Sequence, residues 1–182
     1  MPFNETIQRI STELNTTFDQ LDAFFDLPQA IRSFRPAPGE WCIDETLENI
    51  MLANHFLMIT LKHGLDRVLK YAQTKPIPKR NIELDRIAQM SDSDLFDSGP
   101  QPREARKVRS EHVRIRLTAQ RDEGLHILSQ IQKGEGLLYR FDIDIDELGE
   151  LDMYQWLYLI VQHAKRHTVE MDRVSQQAQA AL

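Results

Sequence analysis

Two histidines four positions apart, in the run His163-Ala-Lys-Arg-His167, are the sharpest chemical feature of this chain. Residues spaced by four on a helix lie one turn above each other, so both imidazoles can reach a single metal ion. The donor type suits Zn²⁺ or Ni²⁺. At about 100° per residue both histidines share a sector with Trp156, Ile160 and Val174, which points them toward the protein interior. His-x₃-His also arises by chance, and two inward histidines can serve simply as hydrogen-bonded core groups. A metal would need a third ligand, and neither His55, His63, His112 nor His126 is an evident choice. His55 lies about 100° from the centre of its helix's apolar stripe, whereas Asn54 sits near that centre. Glu170 projects close to the direction of His163 and reads as a ligand, as a carboxylate orienting a ligand, or as a surface charge.

Other catalytic systems find little support. Gly134-Glu-Gly136 lacks the lysine and preceding strand of a phosphate loop, and there is no Gly-x-Ser-x-Gly elbow. Asp142, Asp144, Asp146, Glu147 and Glu150 lack the central glycine and the twelfth-position glutamate of a Ca²⁺ loop, so the run reads as a solvated acidic loop. Cys42 is the only cysteine. A single cysteine excludes an intramolecular disulfide framework and makes a reducing, cytoplasmic setting the simpler expectation.

The elements that must position the histidines follow from hydrophobic periodicity. Ile7, Ile10, Leu14, Phe18, Leu21 and Phe25 predict a helix over 5–27, stopped by Pro28. After a Pro/Gly-rich loop over 35–41, Asp44 is placed to cap a second helix over 45–73. Its stripe includes Leu47, Ile50, Met51, Leu57, Met58, Leu61, Leu65 and Val68. Residues 76–100 hold three prolines and several serines, with a short helix over 83–90. Links within helical bundles usually take about two to eight residues, so this one implies a crossover that lets the second and third helices run parallel. The third helix is expected over 103–132, ended by Gly134 and Gly136. Residues 141–145 alternate like a strand but have no evident partner, and read as an extended loop. The fourth helix starts after Leu151, with Asp152 as cap and Gln155 completing a capping box. Four amphipathic helices predict an all-α fold, a single four-helix bundle spanning 1–182.

Composition sets the outer limits. The chain has 182 residues, 22 Lys+Arg, 28 Asp+Glu and 41% hydrophobic residues. A chain of this length hides roughly 70% of its unfolded surface and can build a core without staples. Its net charge of -6 argues against nucleic-acid binding. A basic cluster over 103–121 has acids among its lysines and arginines and reads as a solvated helix face. No apolar run approaches the ~18 to 20 residues of a membrane span, because residues 50–61 are broken by Asn54 and His55. The N-terminus shows neither the basic start nor the apolar stretch of a signal peptide.

With these residues in place, the chain resembles the DinB-like (DinB/YfiT) superfamily of four-helix-bundle metalloenzymes. Three segments carry the resemblance. Residues 36–48, Pro-Ala-Pro-Gly-Glu-Trp-Cys-Ile-Asp-Glu-Thr-Leu-Glu, are similar to the family's Trp-Ser entry into the second helix. Residues 48–57 are similar to a stretch in which the residue after the glutamate is usually histidine. Gly149-Glu-Leu-Asp-Met-Tyr-Gln-Trp156 leading into His163 and His167 is similar to the family's Trp-containing lead into His-x₃-His. The resemblance implies an up-down-down-up bundle and a site of one second-helix and two fourth-helix histidines. Residue by residue it gives His163, His167 and, where the first histidine should stand, Asn49. Cys42 stands in place of the serine.

An amide oxygen is a poorer ligand than imidazole, so bound Zn or Ni is expected to be weak or absent. The resemblance implies a metal-dependent enzyme, a thiol transferase or hydrolase, acting on a small-molecule or thiol substrate with no thiol cofactor specified. The alternative is a non-catalytic module of the same family that binds a small molecule or a partner. A homodimer with a structural or stress-response role is compatible with both.

Overall fold

The structure is a computed structural model that describes residues 3–91, 109–142 and 149–181. Those residues are mostly helical: α1 (Phe3–Phe24), α2 (Gln29–Arg32), α3 (Ile43–Ala72), α4 (Leu84–Ser91), α5 (Ser110–Gln130) and α6 (Met153–Ala181), with a 3₁₀ turn at Glu135–Leu138. All four predicted long helices form among the described residues. In α1, for example, Ile10, Leu14 and Leu21 are fully buried.

The ends differ from expectation for local reasons. The first helix closes at Phe24 because Phe25, Asp26 and Leu27 donate to the carbonyls three residues back and tighten into a turn before Pro28. Cys42, not Asp44, stands at the N-cap of α3. Its backbone N–H donates to Glu45 at 3.0 Å, half of a capping box. Asp44 instead accepts a bond from Arg32 at 3.0 Å, which ties α2 to α3. The short helix predicted over 83–90 is α4. The predicted beginning of the third helix over 103–108, and part of the acidic run, lie outside the described residues.

Residues 140–141 do have a strand partner. Arg140–Phe141 pairs antiparallel with Leu151–Asp152, Phe141 opposite Leu151. The partner was hidden because Leu151 and Asp152 also lead into α6. Asp152 caps that helix as predicted, accepting from the backbone N–H groups of Tyr154 and Gln155 at 3.1 Å each, while Gln155 accepts from the Asp152 N–H at 3.1 Å. Trp156 stacks on Phe141 with ring centroids 5.1 Å apart, and its indole N–H donates to the Phe141 carbonyl at 3.1 Å. These covers explain why residues 151–162 are buried on every side rather than along one stripe.

Side-chain pairs set the helix directions. His55 meets Arg116 and Lys62 meets Glu123, so α3 and α5 run the same way. Arg9 bonds Tyr158, while Glu13 bonds Gln162, so α1 and α6 run the same way. Arg114 bonds Asp22 and Arg121 bonds Asp19, which makes α1 and α5 antiparallel. Between α3 and α6, Gly64 faces Met153 and Glu40, just before α3, pairs with Arg173 at 3.9 Å, again antiparallel. Gly124 lets α5 approach closely: a Cβ there would lie 3.0 Å from Leu14 and 3.7 Å from Leu157. No helix among the described residues is long and apolar enough to cross a membrane.

Candidate metal centre

The structure brings His163 and His167 together on α6. Their Nε2 atoms are 3.2 Å apart, with the rings perpendicular and their centroids 4.7 Å apart. Two nitrogens sharing one tetrahedral Zn²⁺ at about 2.0 to 2.1 Å lie roughly 3.3 Å from each other. The pair is thus spaced as two ligands of one ion are.

Glu170, one turn further on, approaches the opposite edge of His167. Its Oε2 is 2.8 Å from His167 Nδ1, and Arg166 Nε lies 3.6 Å from its other oxygen. The bond from His167 holds the Glu170 carboxyl below its ordinary range, although burial opposes this. An ionised carboxylate only accepts hydrogen bonds, so Nδ1 of His167 is the donor, and its Nε2 is the nitrogen that faces His163. This is the carboxylate–histidine arrangement that orients metal-bound imidazoles. Glu170 thus bonds the ring nitrogen of His167 that faces away from His163.

Burial pushes His163 down to about 3, with the neighbouring His167 acting in the same direction. The sign of the resulting pH dependence follows directly. Between about pH 6.5 and 3 the unfolded chain binds a proton at this position that the folded protein refuses, so stability falls as pH drops below about 6.5. Urea unfolding in the presence of a chelator should show this loss. In His163→Gln the slope of stability against pH across that window should flatten by up to about 1.4 kcal/mol per pH unit, one proton's worth. Equal slopes would remove His163 as the cause.

Asn49 is half-buried on α3. At about 100° per residue it projects within about 60° of Gly64 and roughly opposite Met51 and Met58. Gly64 faces Met153 of α6, whereas the Met51 carbonyl accepts from Gln120 of α5. Asn49 therefore lies on the α6 flank. The antiparallel pairs Gly64/Met153 and Glu40/Arg173 bring position 49 level with residues 164–168, the turn that carries the histidines. Among the described residues, no third His, Cys, Asp or Glu joins the pair into a three-ligand group.

No family model, curated protein or solved structure matches this chain. The remaining histidines are placed elsewhere: His63, His112 and His126 are exposed, and His55 is engaged with Arg116 at 3.3 Å. In the basic cluster, Arg114 pairs with Asp22 and Asp26, and Arg121 with Asp19 and Asp122, as on a solvated, ion-paired helix face. Cys42 is a buried free thiol, and burial raises its pKa, opposite to the shift that makes a thiol nucleophilic.

Periodicity did not reveal a second polar cluster, centred on Glu13. Its Oε1 accepts from Arg9 at 3.1 Å and Tyr158 at 3.0 Å, and its Oε2 from Gln162 at 3.1 Å and Lys165 at 3.5 Å. Arg9 also donates to Asp85 at 2.8 Å and to the Tyr158 hydroxyl at 2.9 Å. Burial works against the charge on Glu13, but the bonds from Arg9 and Tyr158 outweigh it and hold the carboxyl below its ordinary range. The cluster ties α1 to α6 and α4. Its polar groups are paired with one another, which makes it a structural junction.

Proposed function

We propose that the protein is a DinB-like four-helix bundle, ordered up-down-down-up, that carries a weakened divalent-metal site and works as a metal-dependent hydrolase or thiol transferase. The 3.2 Å approach of the two Nε2 atoms, with Glu170 on the outer nitrogen of His167, is the observation that carries this reading. His163 and His167 would hold Zn²⁺ or Ni²⁺, and Asn49 would complete the protein's side of the shell. The parallel course of α3 and α5 and the position of Asn49 on the α6 flank of α3 support the family reading. A bound ion of this class lowers the pKa of a coordinated water or thiol and so supplies a nucleophile near neutral pH. The chain's own contribution is to hold one imidazole in a fixed tautomer and to place a second beside it.

Asparagine at position 49 also favours a second reading, a non-catalytic bundle of the same family that binds a small molecule or a partner. Titration separates the two. Protein purified without a chelating tag should bind Zn²⁺ or Ni²⁺ weakly but saturably, and binding should vanish in His167→Ala with the circular dichroism spectrum unchanged. Equal binding by the native protein and that variant would place the metal elsewhere. No binding by the native protein would favour the non-catalytic reading.

A further inference from the structure

We propose that a single ordered water molecule is bound inside the protein between α3 and α5, held by the side-chain amides of Asn54 and Gln120. Asn54 is fully buried, and Gln120 is only 4% exposed. Neither Asn54 Nδ2 nor Asn54 Oδ1 has a hydrogen-bond partner among the described residues, and Gln120 Oε1 has none either. Buried polar groups are almost always satisfied by protein or by ordered water, so these three atoms call for a small polar guest.

Contacts on α3 bring the two amides to one place. Gln120 Nε2 reaches across and donates to the Met51 carbonyl at 2.8 Å. Met51 and Asn54 are three residues apart on the same helix and share a face, and helical side chains lean toward the N-terminus. The Asn54 amide is thereby laid over the turn that Gln120 already touches. Water fits the two amides: with two hydrogens and two lone pairs it donates to Gln120 Oε1 and meets Asn54 by accepting from Nδ2 or donating to Oδ1. This site is independent of the histidine pair.

Nuclear magnetic resonance of the labelled full chain tests the proposal. A cross-peak between a long-lived water and the Asn54 side-chain amide protons is expected, with a matching one to the Gln120 amide that disappears in Asn54→Leu. No water cross-peak at Asn54 would overturn the proposal, as would a Gln120 peak that persists in the variant. Should Asn54→Leu fail to fold, a crystal structure of the native protein decides. Density for a water within hydrogen-bond reach of both amides supports the site, and direct amide–amide bonding or no density overturns it.

Discussion

Replacing Glu13 with alanine is expected to destabilise the protein by about 3 kcal/mol, the low end of the range for mutations that break a buried polar network. The side chain of Glu13 is 23% exposed, so solvent screens the network only in part. Its removal takes the acceptor from Arg9, Tyr158, Gln162 and Lys165 together. Lys165 can turn to water at little cost because it is exposed. Tyr158 and Gln162 cannot, since they are 1% and 3% exposed, and a buried donor that loses its partner forfeits roughly 1 to 3 kcal/mol. For a chain of this size the loss corresponds to a fall in Tm of roughly 6 to 12 °C. Asp22→Ala provides the contrast. Asp22 is bonded twice by Arg114, at 2.7 and 2.6 Å, but both side chains are about 40% exposed (42% and 38%), and such pairs contribute about 1 kcal/mol or less. Thermal and urea unfolding of the two variants checks both values. A Glu13→Ala loss no larger than that of Asp22→Ala would show that the cluster is ornamental.

Glu13 also marks what the sequence could not reveal. Its partners Tyr158 and Gln162 lie 145 and 149 positions away, and nothing in local periodicity links a glutamate on α1 to a tyrosine on α6. The antiparallel pairing of Phe141 with Leu151 is illegible for a related reason: two residues per strand are too few for alternation to register, and Leu151 also belongs to the helix-start signal. The N-cap of α3 stands two residues before the predicted Asp44, because a cysteine is an uncommon cap. The Glu45 half of the capping box was there to be read.

Where the governing physics is local, the sequence was a good guide. The stripes of α1, α3 and α6 predicted the helices that form, and the Asp152/Gln155 box predicted how α6 starts. A spacing of four predicted that His163 and His167 would meet, because helical geometry alone enforces it. The role of Glu170 needed three dimensions: a spacing of three allows contact with His167, but only the rotamers decide which ring nitrogen it meets.

Position 49 carries the second large effect. Asn49→His should place a third imidazole on the α6 flank of α3, level with the pair, and convert a set of two imidazoles and an amide into a three-histidine site with one position left open. A borderline ion gains far more from an imidazole nitrogen than from an amide oxygen. Loss of a group that only orients a ligand typically costs 10- to 100-fold in metal affinity. Supplying a missing ligand should therefore tighten binding by about 100-fold or more. Position 49 is half-buried at the edge of the stripe, so a histidine there should be accommodated without repacking the core. The gain should shrink as pH falls below about 6.5, the ordinary imidazole value, where the imidazole introduced at position 49 holds a proton that the metal must displace.

Calorimetric titration of Zn²⁺ into the native protein and into Asn49→His, side by side at neutral pH and without a chelating tag, tests the central claim most directly. Weak binding by the native chain and one tight, stoichiometric site in the variant is the predicted result. Unchanged affinity in a variant whose circular dichroism matches the native spectrum would contradict the account, because position 49 would then not face His163 and His167.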